Sequence, residues 1–329
     1  MFEDIKKEIK DKERYYIFLD ELQEIKNWEK VVNQLMEQEN VDIYVTGSNS
    51  KLMSSEIATY LSGRYVSIPV YTLSFKEYVL FNKESNLSTR DLLKKYIKFG
   101  GFPLIALSKL DDKSAYQLVF DIYNAIVTND ISRRHRINKQ DLFARLVKFI
   151  LENMGKTFSA NSIIKFLKSE YRKISVETIY NYLKWLENAF IIHKCPRFDI
   201  IGKSILKTQE KYYLADISLK YALMGYNPSM MSAVTENIVF LELKRRGYEV
   251  FIGKNQTKEI DFIAQRQDKT VYIQVCVDLP KNSSRETDNL LQIADNYPKY
   301  LITLDELDSG NIKGIEIIPL EKFLLKEDF

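Results

Sequence analysis

Two adjacent acids, Asp20 and Glu21, follow a short apolar run at positions 15–19. Apolar runs of this length are typical of buried parallel strands in α/β proteins, and ligands bind at the carboxyl ends of such strands. Paired carboxylates there suit metal–phosphate chemistry, with Asp20 holding magnesium through water and Glu21 polarising the attacking water. The alternative is that the pair only begins a helix, where acids favour the helix dipole.

A second group of acids lies in the last third of the sequence. The pattern there predicts a helix over 235–247, strands over 248–252, 259–264 and 271–277, a helix over 285–296, and strands over 299–304 and 314–318. This order resembles the restriction-endonuclease-like core. That core holds magnesium with acids on its hairpin and orients water with a lysine two positions after the second acid.

Only part of that nuclease pattern is present. Asp261 matches the first acid and Glu236 is a helix acid, whereas Gln274 takes the place of the second acid and Cys276 that of the lysine. Glutamine is a poor magnesium ligand, and a buried thiol is neutral near pH 7. We expect a structural or nucleic-acid-docking relic, with a metal-dependent nuclease as the alternative.

A basic segment lies between these two groups. Residues 131–211 contain 17 Lys and Arg against 7 Asp and Glu, a net charge of +10, whereas the rest of the chain carries −7. Helical spacing over 142–153, 159–167 and 175–186, then a strand over 189–195 and a wing over 196–207, predicts a winged helix whose third helix reads a groove. Nucleic acid is therefore a candidate partner of 131–211.

The candidate DNA contacts lie on the third helix and just before it. Phosphate contacts come from Lys, Arg and Ser side chains, and an Asn amide can address a base edge. The set is Arg172, Lys173, Ser175, Thr178, Tyr180, Asn181 and Lys184. Two alternatives are open, because winged helices also pair proteins and a basic surface can be merely solvated.

Composition excludes several classes of protein. The 329 residues allow two or three domains, and 45% hydrophobic with 28% charged residues is ordinary for a globular chain. No apolar run reaches the roughly 18 residues of a membrane helix, and the charged start has no signal-peptide core. Two cysteines exclude a disulfide framework, which fits a reduced cytoplasmic setting. Together with two histidines they build no four-ligand zinc site.

The elements around the acid pair indicate a parallel sheet. A helix is predicted over 28–39, a second strand over 41–47 and a third over 65–70. Residues 17–23 resemble the Walker B element of AAA-type ATPases, residues 45–50 their sensor-1 strand end, and residues 61–65 and 98–103 continue the likeness. The branch is that of bacterial and archaeal ATPases fused to domain of unknown function 4143.

This resemblance implies ATP and magnesium as cofactors. It makes Asp20 and Glu21 the Walker B acids, with magnesium at Asp20, Asn49 or Ser48 the sensor, and Arg64 an arginine of phosphate-sensing role. The sequence, however, contains no G-x-x-x-x-G-K-[ST] loop, and that loop supplies most phosphate contacts in such enzymes.

Without the loop, neither cofactor is expected to bind this chain tightly, hydrolysis is doubtful, and the acids are vestigial unless another segment completes the site. We expect an N-terminal truncation, from a late start or a gene fragment. We also expect an open sheet edge that a second copy or another protein covers.

The prediction for the whole chain is a multi-domain α/β protein. Residues 1–72 form a partial AAA-type core with a parallel sheet, and 73–140 a helical lid and linker with helices over 75–80, 89–98 and 114–130. Residues 141–211 form the winged helix, and 212–329 the restriction-endonuclease-like α/β domain. His193, on an apolar strand, is expected to be a packed residue rather than a ligand.

Overall fold

The computed structural model describes residues 2–9, 13–22, 25–37, 40–48, 61, 63–135, 137, 139–169, 174–267, 269–279 and 285–328. In this part of the chain the protein is mixed α/β, with one two-stranded and one eight-stranded sheet. None of the described helices is both long enough and apolar enough to cross a bilayer.

The N-terminal unit is a small parallel sheet packed on one helix. Its elements in chain order are α1 (Phe2–Glu8), β1 (Tyr15–Leu19), α2 (Trp28–Leu35) and β2 (Val41–Val45). The strands are parallel, with Leu19 opposite Val45. Trp28 and Val32 of α2 are buried against one face of this sheet, because the apolar residues of α2 recur at helical spacing. The predicted strand–helix–strand unit is confirmed.

Two expectations for this unit are wrong. Residues 64–70 form no strand, and Val66, Ile68 and Val70 are 87%, 77% and 92% exposed. Strand β1 is also not fully buried, since Tyr16 is 59% and Phe18 73% exposed. Both errors arise because a partner element is missing among the described residues. In this part of the chain no strand pairs with 64–70, and no helix covers the second face of the sheet.

A helical region follows, as predicted for residues 73–140. Its elements are α3 (Phe75–Phe81), α4 (Thr89–Phe99), α5 (Pro103–Leu107), α6 (Asp112–Ile126) and a π-helical turn (Val127–Ser132). Helix α3 begins with a capping box, in which the side chains of Ser74 and Glu77 each accept a backbone N–H of the other residue. The core of this region includes Phe75 and Tyr96, whose rings contact each other.

Three more helices and a hairpin come next. They are α7 (Gln140–Glu152), α8 (Ala160–Ser169), α9 (Val176–Asn188), β3 (Ile192–Asp199) and β4 (Ser204–Leu214). The three predicted helices are confirmed, and β3 and β4 are antiparallel. Strand β3 also pairs in parallel with a later strand, β5 (Glu249–Asn255). The hairpin predicted as a wing is therefore one edge of the large sheet, and the predicted boundary between 211 and 212 falls inside β4.

The large sheet has the order β4-β3-β5-β6-β7-β8-β10-β9. Its remaining elements are α10 (Ser218–Met224), a 3-10 turn (Pro228–Met230), α11 (Met231–Arg245), β5 (Glu249–Asn255), β6 (Lys258–Arg266), β7 (Lys269–Cys276), α12 (Arg285–Leu291), β8 (Lys299–Thr303), β9 (Gly310–Ile312), β10 (Ile315–Pro319) and α13 (Leu320–Leu325). The predicted helix, meander, helix and strand order is present, and β9 is an additional short strand.

The two faces of this sheet have separate cores. Helix α11, buried from Val234 to Leu243, packs with the helical region and one face of the sheet in the largest apolar cluster. Leu290 of α12 packs on the other face with Ile263 and Leu301. Because ten consecutive residues of α11 are buried, it is an interior helix between the sheet and the helical region.

The chain between the small sheet and α3 is held by hydrogen bonds. Arg245 of α11 donates to the carbonyl oxygens of Thr72 (3.1 Å) and Leu73 (3.4 Å). The buried Asp216 accepts the backbone N–H of Gly101 at 2.8 Å. The Arg245 contacts join residues 72–73 to α11, and the Asp216 contact joins the helical region to the turn after β4.

Gly100 lies where this junction leaves no room. Its φ is +71°, and a Cβ built there lies 1.8 Å from Asp216 Oδ1. We expect Gly100→Ala to lower the free energy of unfolding by at least about 3 kcal/mol, because backbone strain and a steric clash add. Gly225→Ala is the control, since φ is +80° but the described atoms leave the space open, and strain alone costs about 1–2 kcal/mol. Equal losses in denaturant titrations would contradict the clash.

His193 lies between the rings of Tyr71 and Phe240, with centroid distances of 6.0 and 6.1 Å. Burial, with repulsion from Lys244 and Arg245, lowers the pKa of His193 to about 4. The unfolded chain, with a histidine pKa of about 6.5, binds a proton between pH 6.5 and 4 and the folded chain does not.

Stability should therefore fall as pH drops from 6.5 toward 4, by about 1–3 kcal/mol. His193→Phe should flatten this slope in unfolding measurements across the window, because phenylalanine keeps the ring packing without the proton. An unchanged slope would assign the pH dependence to other groups.

Candidate functional site

The acid pair lies at the carboxyl end of β1, beside the end of β2. The Thr46 hydroxyl donates to Asp20 Oδ1, and the backbone N–H of Glu21 donates to Thr46 Oγ1 at 3.2 Å. The backbone N–H of Thr46 donates to the carbonyl oxygen of Leu19 at 2.9 Å, which continues the parallel pairing. Both acids are exposed. Carboxylate and hydroxyl oxygens are ligands that suit magnesium.

The other predicted residues of this site are placed differently. Arg64 donates to Asn33 Oδ1 on α2 at 3.3 Å, and Ser48 donates to Asp130 Oδ1 in the π-helical turn at 3.2 Å. Asn49 lies outside the described residues. Thr46 was not among the predicted site residues. The sequence carried a signal for Thr46, because this residue directly follows the predicted second strand as Asp20 follows the first. The ends of adjacent parallel strands lie side by side.

A second cluster joins β4, α11 and β6. Lys211 Nζ lies 2.9 Å from Glu236 Oε1 and 2.9 Å from Glu259 Oε1. The Tyr213 hydroxyl donates to the same Glu236 oxygen at 2.5 Å. The Lys211 side chain is only 3% exposed, whereas that of Glu259 is 37% exposed. The cluster is therefore a buried ion pair that reaches the surface at Glu259.

Asp261 and Gln274 form the next layer of this cluster. The backbone N–H of Val275 donates to Asp261 Oδ2 at 2.8 Å. Gln274 accepts the backbone N–H of Asp261 at 3.3 Å and donates to Glu286 Oε2 at 2.7 Å. A carboxylate at position 274 can accept the first bond but cannot donate the second. The glutamine side chain therefore links the Asp261 backbone to the Glu286 carboxylate.

Charges in the cluster shift several pKa values. Burial by itself lowers the pKa of Lys211, but attraction to Glu236, Asp261 and Glu259 outweighs it, so that the pKa lies well above its usual range. Burial and repulsion from Glu236 raise the pKa of Asp261 well above normal. Burial also raises the pKa of Cys276 to about 12. Cys276 is thus a neutral thiol at pH 7, and the buried cation is Lys211.

Of the predicted nuclease-like residues, Glu236, Asp261 and Gln274 lie in this cluster with Lys211. In the described part of the chain no group of three or more His, Cys, Asp or Glu side chains has metal-binding geometry. Lys211, Glu259 and Glu286 were missed as site residues. Lys211 carries no local signal, since it belongs to another predicted domain and is 25 positions from Glu236.

The predicted DNA-contact residues that the structure describes divide into two groups, a helix cap and an exposed side of α9. Ser175 is the N-cap of α9, and its hydroxyl accepts the Thr178 N–H at 3.1 Å and contacts the Thr178 hydroxyl at 2.8 Å. Tyr180, Asn181 and Lys184 are exposed on one side of α9. Arg172 and Lys173 lie outside the described residues.

Part of the basic excess over 131–211 is neutralised within the fold. Lys211 is buried with two glutamates from outside this segment, and Arg134 lies 3.5 Å from Asp130, which also lies outside it. The surface excess is therefore smaller than the sequence count.

Comparison with known proteins gives two family matches. Residues 1–79 match the model of an AAA domain, and residues 90–230 match a domain of unknown function, DUF8612. The second match is a different domain of unknown function from the one named in the sequence resemblance.

Two relatives cover most of the chain. It is 42% identical over 316 residues to an uncharacterized protein of Haemophilus influenzae, across 95% of this chain and 78% of that protein. It is 33% identical over 314 residues to an uncharacterized protein of Methanocaldococcus jannaschii, across 91% of this chain and 68% of that protein. Among solved structures, the Walker-type ATPase of Pyrococcus abyssi aligns at 14% identity and a TM-score of 0.42, over 64% of this chain and 63% of that one.

Proposed function

We propose, from the premise that this chain belongs to one family with its two relatives and that its residues 1–79 match an AAA domain, that the small N-terminal sheet carries the acidic half of a magnesium–nucleotide site. In this proposal Asp20 is the magnesium-side acid and Glu21 the acid that polarises water. The remaining half, which contacts the phosphates, comes from a segment or a partner that covers the small sheet.

The observation that carries this proposal is the position of Asp20 beside Thr46. Both groups lie at the carboxyl ends of adjacent parallel strands, where α/β sheets bind ligands. The Thr46 hydroxyl orients the Asp20 carboxylate, and both acids remain accessible. Magnesium bound there together with ATP would neutralise charge on the phosphates.

The uncovered side of the small sheet supports the second half of the proposal. Phe18 and Tyr44 stack on each other at a centroid distance of 4.9 Å and are 73% and 49% exposed. Sheets of α/β proteins bury both faces, so this aromatic face favours a covering element. Because the nearby acids would hold only the magnesium ion, the covering element should present backbone N–H groups and a lysine to the phosphates.

A second candidate function is nucleic-acid contact through α9, with protein contact as its alternative. An aromatic ring, an amide and an ammonium group, those of Tyr180, Asn181 and Lys184, share one exposed side of the helix. Such a surface combines stacking, hydrogen bonding and phosphate attraction. We do not propose a nuclease, because Glu236 and Glu259 are both paired with Lys211.

The first test is ATP turnover. Phosphate release by the 329-residue chain with magnesium and ATP should equal the protein-free blank, because the chain has no P-loop sequence to hold the triphosphate. Glu21→Gln should behave identically. Turnover that Glu21→Gln abolishes, and that Glu84→Gln at an exposed site on the helical region preserves, would refute the proposal.

The second test is binding to duplex DNA, followed by fluorescence anisotropy. The logarithm of the association constant should fall linearly with the logarithm of salt concentration, since bound phosphates release counterions. Lys184→Glu should weaken binding on the order of tenfold, by replacing attraction with repulsion. Lys109→Glu, an equal charge change on an exposed loop, should have a smaller effect. Absent or salt-insensitive binding counts against this function and favours a protein partner.

A further inference from the structure

We propose that Glu236 and Glu259, with Asp261 beside them, form a cation site whose cation is the chain's own ammonium group, that of Lys211. This inference concerns the large sheet and is independent of the proposed nucleotide function. It assigns to the cluster an intramolecular ligand in the place where a nuclease-like site would hold a metal ion.

The geometry around the ammonium group supports this assignment. Lys211 Nζ contacts one oxygen of each glutamate at 2.9 Å, the distance of a charge-assisted hydrogen bond. Glu236 is held in place by the Tyr213 hydroxyl. The two glutamates come from α11 and β6, and the lysine comes from β4. The ammonium group therefore lies where three separate elements meet.

The balance of charge requires a cation at this point. The two glutamates, one buried and one half-buried, repel each other, and unpaired buried charges are costly. The attraction of these acids keeps Lys211 protonated despite its burial, as the raised pKa of Lys211 indicates. Two further acidic or polar groups, Glu286 and Gln274, face Asp261, and neither supplies a positive charge.

The same contacts argue against a metal ion in addition to the lysine. Magnesium takes about six oxygen ligands in near-octahedral geometry, but the Oε1 atoms of both glutamates already accept from Lys211. Since the ammonium group links the sheet's edge strand β4 to α11 and β6, it also fixes the hairpin against the rest of the sheet. The cluster should therefore be insensitive to divalent cations as long as Lys211 is present.

The test is the thermal midpoint of unfolding with and without Mn²⁺. The midpoint of the wild-type chain should not rise with Mn²⁺. Lys211→Met, which keeps an unbranched side chain as far as the ε position but removes the ammonium group, should lower it on the order of 10 °C, because the buried carboxylates lose their counter-ion. Mn²⁺ should then recover about 3 °C or more in this variant by binding the freed acids.

Three comparisons sharpen the result. Lys211→Arg should keep the insensitivity to Mn²⁺, and Lys83→Met, at an exposed position, should resemble wild type. If Lys211→Met does not fold, Mn²⁺ titration of the wild type by electron paramagnetic resonance decides. Binding lost in Glu236→Gln overturns the proposal, whereas an absence of such binding supports it.

The proposal is also overturned if Lys211→Met unfolds at the same midpoint as the wild-type chain, or if Mn²⁺ leaves the midpoint of Lys211→Met unchanged. A Mn²⁺ signal lost in Asp20→Asn belongs to the nucleotide site instead, so the two proposals fail separately.

Discussion

Strand β3 hydrogen-bonds on both of its sides, and the relation between the helices and the large sheet depends on this double pairing. Its antiparallel neighbour β4 completes a hairpin that follows three helices, and its parallel neighbour β5 begins the meander. Backbone groups buried in a sheet need partners, so separating the hairpin would leave the edge of β5 unpaired. Cys195 of β3, which is fully buried, donates to the carbonyl oxygen of Val250 across this contact. The three helices and the sheet consequently share one core.

The buried ion pair lies close to that contact and follows from it. Once β4 is an edge strand of the large sheet, Lys211 faces α11 and the beginning of β6, which bring Glu236 and Glu259 to it. An ion pair, rather than apolar packing, then stabilises this part of the core. Gln274 fits the same arrangement, because an amide can both accept from Asp261 and donate to Glu286. The two residues that depart from a nuclease pattern, Gln274 and Cys276, are thus compatible with a site whose positive charge comes from elsewhere in the chain.

The small N-terminal sheet has the opposite character. One face packs on α2, while the other exposes stacked aromatic rings, and Val66, Ile68 and Val70 further along the chain are also exposed. A sheet of two strands buries too little surface to be stable without further layers. The acid pair is therefore well placed at the strand ends but only partly surrounded. The match of residues 1–79 to an AAA domain and the position of the acid pair are the two observations behind the proposed nucleotide role.

The sequence by itself determined the local elements of this protein. Apolar spacing placed the helices and most strands, and the end of an apolar run located Asp20 and Glu21. These features depend on neighbours within a few positions, where periodicity acts.

Only the tertiary structure decided which elements meet. Residues 64–70 have the composition of a strand, yet a strand exists only where a partner offers hydrogen bonds, and the described residues offer none. Thr46 and Lys211 gained their places from the pairing of β1 with β2 and of β3 with both of its neighbours. Sequence spacing shows which side of an element is apolar, but the identity of the group packed against it depends on long-range register and topology. That is why the acids were predicted and the lysine that neutralises them was not.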